Sequence, residues 1–273
     1  TLAGVLAAFA TCAAAQDALA PDGRAYRAQP LTTELFIADP SAHVFDGRIY
    51  VYGSHDIQGP SADDQPGKGF VMKDYLVLSM DRIGGPVTIH PTALTLSAVP
   101  WADRQLWAPD AAYKDGRYYL YFPAKDREGV FRIGVATGDR PEGPFTPEPQ
   151  PILGAYSIDP SVFVDEDGAA YLYVGGIHGG QLQRWTSGRY DPAAGDTDLN
   201  QPEAASLMPK VARLSDDMLT LAEPMRDAVI LNEQGQPLKG GDLDRRFFEA
   251  AWPHKYNGLY YLSYSTGDTH FIA

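Results

Sequence analysis

The stretch Ile37–Asp56, IADPSAHVFDGRIYVYGSHD, contains the pattern from which the rest of the chain is built. Asp39 precedes Gly47 by eight residues, and an alternating aromatic run, Arg48–Tyr52, follows the glycine. The dipeptide Asp46-Gly47 is typical of a type I′ hairpin turn, because both central positions of that turn need positive φ, which glycine adopts at low cost. The stretch therefore predicts two antiparallel strands with a carboxylate at the entry of the first.

The same unit returns three times, with hairpin glycines at Gly116, Gly168 and Gly258. Each of these glycines follows Asp or Asn and precedes an alternating apolar run. A later strand is predicted in the first two units as well, over Tyr75–Asp81 and Phe131–Thr137. Repetition on this scale is typical of a β-propeller, in which each unit forms one blade around a central channel. The sequence therefore predicts an all-β fold.

Three of the four units place a carboxylate at the entry of their first strand. Asp159 and Glu249 each precede their hairpin glycine by nine residues, which matches Asp39 to within one residue. Asp110 precedes its glycine by only six, so Trp107 occupies the equivalent place in that unit. The innermost strands of a propeller all begin at the same end of the channel, so the three carboxylates are expected to share one pocket. The alternative is that they are ordinary turn residues before strands.

The units are unequal in length, and the last is cut short. The polar stretch Ser187–Pro237 is interpreted as an insertion within or between blades. At Ala273 the fourth unit is only beginning its third strand. We therefore expect a propeller that is truncated at its C-terminus, with about four blades present and an open strand edge.

The first thirty residues differ in composition from the repeats. An apolar run over residues 1–10 is too short to span a bilayer, and Ala13–Ala15 fits a signal-peptidase site. We expect residues 1–15 to be the remnant of a secretory signal, cleaved near Ala15, and residues 16–30 to be a flexible leader. The β-propeller domain would then cover residues 31–273 and be exported to a periplasm or the exterior. A buried core helix is the alternative for the apolar run.

The charge of the chain narrows the classes of partner. Its formal net charge is −13, which disfavours binding to nucleic acid and to anionic membranes. A neutral substrate or a cation is compatible with this charge. The sequence contains no GxxxxGK, GxGxxG, HExxH or CxxC motif, so nucleotide and zinc chemistry have no support.

Taken together, the motifs resemble glycoside hydrolase family 43, whose members are five-bladed β-propellers. The motifs that carry this resemblance are Ala38–Ser41, Trp107–Asp110, Ser157–Ser161 and Phe248–Trp252. The resemblance extends over residues 31–273 and implies an inverting hydrolase of β-xylosides or α-L-arabinofuranosides. Within the family, the chain most resembles the exo-acting β-xylosidase and α-L-arabinofuranosidase branch. The implied partners are neutral plant cell-wall oligosaccharides, namely fragments of xylan, arabinoxylan and arabinan.

The resemblance also implies a role for each carboxylate: Asp39 as general base, Asp159 as auxiliary carboxylate and Glu249 as general acid. Inversion suits such a set, because a base activates water on one face of the sugar while an acid protonates the leaving group on the other. The acid must stay protonated near neutral pH. We therefore expect burial beside Phe248 and Trp252, together with the charge of Asp159, to raise the pKa of Glu249.

Aromatic side chains are the candidates for binding the sugar. Phe36, Trp107 and Trp252 can each supply a flat face for sugar C–H groups, although a core position is the alternative for Trp107. The histidines are interpreted as hydrogen-bonded strand or loop residues rather than ligands. No cofactor is required. A structural calcium ion is compatible with the family, but no metal ligand is assigned.

Two other functions are compatible with the same motifs. One is an endo-1,5-α-L-arabinanase of the same family, which needs an open groove where an exo enzyme needs loops such as Ile57–Lys68 to close one end of the pocket. The other is a non-catalytic propeller that binds carbohydrate or protein. The presence of all three acids argues against the second, because binding alone needs neither an acid nor a base.

Overall fold

The computed structural model describes residues 30–57, 70–195 and 201–267. The chain divides into two compact units, Thr1–Thr33 and Glu34–Ala273, and the first is described only over residues 30–33. The predicted signal and nearly all of the predicted leader lie outside the described residues, as does the loop after Ile57 up to residue 69. Within the described ranges, no helix has both the length and the apolar character needed to cross a membrane.

The described part of the second unit is built from β-strands and short 3-10 helices, which confirms the all-β class. In chain order the strands are β1 (Ile37–Phe45), β2 (Arg48–His55), β3 (Asp74–Met80), β4 (Thr88–Thr95), β5 (Ala102–Arg104), β6 (Asp110–Lys114), β7 (Arg117–Asp126), β8 (Phe131–Gly138), β9 (Thr146–Pro147), β10 (Ser161–Val164), β11 (Ala170–Val174), β12 (Lys210–Arg213), β13 (Arg226–Asp227), β14 (Phe247–Tyr256) and β15 (Leu259–Thr266). The 3-10 helices are Leu96–Ala98, His178–Gly180 and Leu182–Trp185.

Each predicted unit begins a new antiparallel sheet. The first sheet has the order β1-β2-β3-β4, and the third has the order β10-β11-β12-β13. In the second sheet β7, β8 and β9 follow one another, while β6 pairs with the start of β7 and β5 pairs with its end. Strands β14 and β15 form a two-stranded sheet. Because neighbours in the sheets are mostly neighbours in sequence, the first strand of every unit is an edge strand.

Three of the four predicted hairpin turns have the expected backbone. Both central residues have positive φ in the pairs Asp46 and Gly47 (50° and 76°), Asp115 and Gly116 (52° and 82°), and Asn257 and Gly258 (49° and 76°). Open space surrounds the position of a Cβ atom at Gly47, so conformation rather than crowding selects glycine there. The fourth turn is longer: the N–H of Asp165 donates to the carbonyl of Ala169, 2.8 Å away.

The sheets pack face to face around separate apolar cores. Along β7 the side chains alternate between two of them, as the pleat of a strand requires. Leu120 and Phe122 face the core shared with the first sheet, whereas Tyr119 and Tyr121 face the core shared with the third. A third core joins the segment after β11 to β14, with Ile177, Leu182, Trp185 and Phe247 among its members. The second sheet is therefore buried on both faces.

The stretch Ser187–Pro237 is only partly an insertion. It contains β12 and β13, and β12 pairs with β11 so that Ala212 lies opposite Leu172. These strands have four and two residues and are surrounded by polar sequence, so neither shows the alternation that identifies a longer strand. The interpretation of this stretch as an insertion is therefore corrected over residues 210–213 and 226–227.

Candidate active site

Asp39 lies at a bend in β1. The pairing with β2 shifts register between Ala38 and Ser41, and Asp39 itself has a φ of 48°. A β-bulge turns the side chain away from the direction that the regular pleat would give it, and aspartate tolerates positive φ better than most residues. The bend therefore sets the direction of the Asp39 carboxyl at the start of the strand.

Asp159 has the same backbone conformation, with a φ of 53°, two residues before β10 begins. Its Oδ2 atom accepts a hydrogen bond from the backbone N–H of Ala250, 3.1 Å away. Ala250 belongs to the fourth unit and follows Glu249 directly in sequence. This hydrogen bond therefore ties the second acid to the strand that carries the third.

Glu249 also lies where the strand pairing is irregular. The register between β14 and β15 shifts on both sides of it, and the next residue, Ala250, has a φ of 59°. Glu249 forms an isolated bridge with Gly176, where an added Cβ would lie 3.4 Å from the Cβ of Glu249 and 2.5 Å from the side chain of Ile158. A glycine is needed at 176 because the two chain segments approach so closely.

The three carboxyls lie close enough to affect one another's ionisation. Burial raises the pKa of Glu249 to about 7, and the charge of Asp39 adds to the rise. Burial also raises the pKa of Asp159 well above its usual value, with further contributions from Glu249 and Asp39, against a lowering by the N–H of Ala250. The three acids that the sequence predicted to meet are thus brought together from three different sheets.

Burial is the main cause of the rise in the Glu249 pKa, as expected, and the charge of Asp39 adds to it. The expected interaction between Asp159 and Glu249 is present as well, because the charge of Glu249 contributes to the raised pKa of Asp159. Two carboxyls that repel each other favour a state in which at least one of them is protonated.

Asp39 remains open to solvent, although enough protein surrounds its carboxyl for desolvation to raise its pKa. The charge of Asp56 is the second cause of this rise. Asp56 is held at the end of β2 by its N–H, which donates to the carbonyl of Phe36 at 2.9 Å. Phe36 is 64% exposed. The structure therefore places Phe36, one of the predicted sugar-binding residues, near Asp39.

Trp107 is half-buried and held from three directions. Its Nε1–H donates to the carbonyl of Phe70 at 3.0 Å, and its ring lies 4.7 Å from that of Phe131. The hydroxyl of Tyr75 donates to its carbonyl at 2.6 Å. Burial raises the pKa of Tyr75, and the charge of Asp39 adds to the rise. Tyr75 and the Trp107 that it bonds therefore lie near the first of the three acids. Since the indole N–H is already bonded, only the ring face of Trp107 is available to a ligand.

Several residues pack around Trp107 and form with it what we call the Trp107 wall, and they were not predicted from the sequence. Phe70 is 57% exposed and lies edge-on to Trp107, and the ammonium of Lys125 lies 4.8 Å from the centre of the Phe131 ring. The side chain of Gln181 bonds both the N–H of Phe131 and the carbonyl of Gly129, each at 2.9 Å. None of these positions carries a sequence signal, because the contacts join segments up to fifty-two residues apart.

Trp252 lies three residues beyond Glu249 and packs on His43, with ring centres 5.5 Å apart. Its role as a sugar-binding residue stays a prediction. The interpretation of the histidines as hydrogen-bonded residues is confirmed for His43, which bonds Asp110 at 2.6 Å, and for His55, which bonds Asp74 at 3.1 Å.

The described residues contain no group of three or more His, Cys, Asp or Glu side chains arranged to hold a metal ion. An acid with a pKa near 7 and a second carboxyl exposed to water can give and take a proton on one substrate.

Comparison with known proteins identifies the family of this chain. The profile of glycosyl hydrolases family 43 matches residues 32–272. The xylosidase/arabinosidase 43A of Humicola insolens is 55% identical over 250 residues, which cover 89% of this chain and 76% of that protein. A xylosidase/arabinosidase of Bacteroides ovatus is 52% identical and covers 87% of this chain and 73% of that protein.

Solved structures agree. A family 43 β-xylosidase/α-arabinofuranosidase from a compost microbial metagenome, crystallised with xylotriose in a calcium-free form, has a TM-score of 0.86 and 61% identity. The alignment covers 91% of this chain and 76% of that one. A Xanthomonas citri enzyme of the same family, in complex with xylotriose, has a TM-score of 0.82 and 53% identity, covering 89% and 70%. This chain therefore belongs to glycosyl hydrolase family 43.

Proposed function

We propose that this chain is an inverting exo-glycosidase that releases xylose, arabinose or both from hemicellulose oligosaccharides, as a β-xylosidase and α-L-arabinofuranosidase. The observation that carries the proposal is the meeting of Asp39, Asp159 and Glu249, with the pKa of Glu249 raised to about 7. Its similarity to xylosidase/arabinosidase proteins supports the choice of substrate.

In the proposed reaction Asp39 removes a proton from a water molecule as that water attacks the anomeric carbon. A new bond forms between this carbon and the water oxygen, and the bond to the leaving-group oxygen breaks. Glu249 gives its proton to the departing oxygen. Because attack and departure occur on opposite faces, the configuration of the sugar inverts, with carboxyl groups about 6.5–9.5 Å apart in such enzymes.

Asp159 acts on the reaction without touching the bond that breaks. Its hydrogen bond to the N–H of Ala250 holds the backbone next to Glu249. That hydrogen bond opposes the effect of burial on Asp159, so the carboxyl and the Glu249 strand constrain each other. We assign Asp159 to positioning Glu249 and to the electrostatics of the site.

A neutral oligosaccharide suits the walls of this site. The exposed face of Phe70 and the half-buried ring of Trp107 provide an apolar surface for sugar C–H groups, and Phe36 lies at the entry beside Asp39. The net charge of −13 would repel nucleic acid and anionic membranes. We therefore assign fragments of xylan, arabinoxylan and arabinan as partners, with no nucleic-acid or membrane partner.

We also assign the four sheets of the described residues to successive blades of a five-bladed β-propeller. Export to a periplasm or the exterior after cleavage near Ala15 is supported by the apolar run that precedes Ala13.

Hydrolysis of an aryl β-xyloside and an aryl α-L-arabinofuranoside, measured side by side, tests the proposal. Release of the aryl group from at least one substrate by the wild-type chain is expected, together with release of monosaccharide from the end of xylotriose. The matched control is Asp39→Asn, which removes the base and keeps the size of the side chain. Turnover of neither substrate, or cleavage of a longer oligosaccharide at its internal bonds without release of monosaccharide, would contradict the proposal.

A further inference from the structure

One carboxyl in the centre of the fold takes no part in the proposed reaction. Asp110 is only 1% exposed, and both of its oxygens are engaged. Oδ1 lies 2.6 Å from Nε2 of His43, and Oδ2 accepts the backbone N–H of Val162 at 2.7 Å. These two partners belong to β1 and β10, whereas Asp110 begins β6. The side chain of Asp110, on the first strand of the second unit, is therefore bonded to the first strands of the first and third units.

Three of these residues share one position in their units, and contacts add His43 to the same layer. Asp110, Val162 and Trp252 each precede the hairpin glycine of their own unit by six residues, and His43 precedes Gly47 by four. The ring of Trp252 packs on His43 with centres 5.5 Å apart. All four first strands thus contribute to this layer.

The layer lies directly next to the acids along the chain. His43 follows Asp39 by four residues on β1, Val162 follows Asp159 by three, and Trp252 follows Glu249 by three. A strand rises about 3.3 Å per residue, so the layer is roughly 10–13 Å along the chain from the acids. The strand segments between the two are short, so a change in spacing within the layer moves the carboxyl groups.

We propose that Asp110 and His43 are positioning residues, which hold the strands of Asp39 and Asp159 at the spacing that the reaction needs. This inference rests on the proposed function. The bends at Asp39 and Asp159 set the directions of the two side chains. Within the described residues, however, no hydrogen bond joins these two carboxyls directly. The bonds from β1 through His43 and Asp110 to the N–H of Val162 supply that connection one layer deeper.

The test compares variants that break this connection with variants that keep it. Asp110→Ala removes both hydrogen bonds, whereas Asp110→Asn keeps an oxygen to accept the Val162 N–H and an NH₂ group to donate to a neutral His43. His43→Ala and His43→Gln form the second pair, because the Gln amide can still donate to Asp110. The side chain of His43 is 20% exposed, so its variants disturb packing less than those of Asp110.

The matched control is Tyr121→Phe. The hydroxyl of Tyr121 donates to the carbonyl of Met218 at 2.7 Å in the core between the second and third sheets, and neither residue lies on a strand that carries an acid. The control therefore loses one buried hydrogen bond between the same sheets. Thermal unfolding, measured for every variant, sets an assay temperature at which all of them are folded.

The expected result is a division between kcat and KM. Displacement of reacting groups by about 1 Å can cost about a hundredfold, so the two Ala variants should lose ten- to a hundredfold in kcat with KM within twofold. A loss should remain with an activated leaving group, because easier departure does not compensate for displacement of the base Asp39. Asp110→Asn and His43→Gln should recover most of the rate, and Tyr121→Phe should keep it.

Several outcomes would overturn the inference. If either Ala variant, once folded, keeps kcat within twofold of wild type, the connection does not position the acids. The same follows if the Asn and Gln variants lose as much as the Ala variants, or if Tyr121→Phe loses as much as Asp110→Ala. A wild-type chain that turns over neither aryl glycoside would instead contradict the proposed function. Should Asp110→Ala fail to fold, the His43 pair decides alone.

Discussion

Asp39 and Asp110 lie near the start of the first strands of neighbouring sheets, yet the fold gives them opposite surroundings. Asp39 lies in a register shift at positive φ, open to solvent. Asp110 lies in regular pairing opposite Tyr121, is almost fully buried, and has both oxygens bonded. Asp39 precedes its hairpin glycine by eight residues, whereas Asp110 precedes its own by six.

This difference shows what makes a carboxylate available for chemistry. Asp159 and Glu249 share the features of Asp39: each lies where pairing is irregular or has not begun, and each has a raised pKa. A bend can turn a side chain out of the pleat into a pocket. A carboxyl at a position of regular strand pairing, such as that of Asp110, is instead buried and hydrogen-bonded to other protein groups. In this chain the offset from the hairpin glycine therefore separates the three acids that we propose to act in the reaction from the buried Asp110.

Removing either reacting carboxyl should have the largest effect. We expect Asp39→Asn and Glu249→Gln each to lower kcat/KM for an unactivated xyloside by about 10²–10⁴, the usual contribution of a positioned base or acid. An aryl leaving group that needs little protonation should partly rescue Glu249→Gln but not Asp39→Asn. Steady-state kinetics on the two substrates check this. Asp115→Asn, at an exposed hairpin turn, is the matched control.

Equal losses for both variants on both substrates would show that the roles of base and acid are assigned wrongly. A loss in Asp115→Asn would show that any change of an Asp at positive φ disturbs the fold.

Asp159→Asn should have the next largest effect. The amide can still accept the N–H of Ala250, but it changes the electrostatics beside Glu249, so we expect a loss of about a hundredfold in kcat/KM. An activated leaving group should recover part of it, because the defect acts through the acid. Kinetics on the same two substrates measure this effect. A variant as active as wild type would remove Asp159 from the site.

Tyr75→Phe should have an intermediate effect. It removes the hydroxyl that donates to the carbonyl of Trp107 and leaves that carbonyl buried and unsatisfied, at a cost of about 1–3 kcal/mol in the free energy of unfolding. Because the Trp107 wall loosens, KM should rise while kcat changes little. Urea unfolding and steady-state kinetics check both parts. An unchanged KM together with reduced stability would indicate that Trp107 belongs to the core and not to the sugar site.

The smallest expected effect is on the pH profile. Glu249 must be protonated to act, so kcat/KM should fall as the pH rises through about 7, the raised pKa of Glu249. Asp39 must be ionised, so the acidic limb should follow its raised pKa. Asp56→Asn removes a charge that raises the pKa of Asp39 and should move the acidic limb to lower pH while the basic limb stays in place.

A shift of the acidic limb to higher pH in Asp56→Asn, or a shift of the basic limb alone, would contradict this assignment. The profile of kcat/KM is the appropriate one because it reports the ionisation of the free enzyme.

Local signals in the sequence predicted what depends on local structure. Asp or Asn before glycine predicted four hairpin turns, three of which have positive φ at both central residues. Offsets of eight or nine residues from the hairpin glycines predicted that Asp159 and Glu249 would join Asp39. Contacts between distant segments could not be predicted in this way. The bond from Tyr75 to Trp107 and the contact of Phe70 with the same indole depend on how sheets pack.

Electrostatic detail was the other part that the sequence did not provide. The mutual repulsion of the three carboxyls depends on distance and burial, and the contribution of Asp39 to the raised pKa of Glu249 was not predicted. Strands β12 and β13 could not be assigned from the sequence, because short strands in polar sequence have too few residues to show a period of two.

The stereochemistry of the first product tests the account most directly. Proton NMR during hydrolysis of an aryl β-xyloside distinguishes α-xylose from β-xylose before the free sugar equilibrates. If Asp39 activates water on the face opposite the group that Glu249 protonates, α-xylose appears first and β-xylose follows by mutarotation. Appearance of β-xylose first would mean that a carboxylate attacks the sugar itself, and would contradict the assignment of Asp39 as a base.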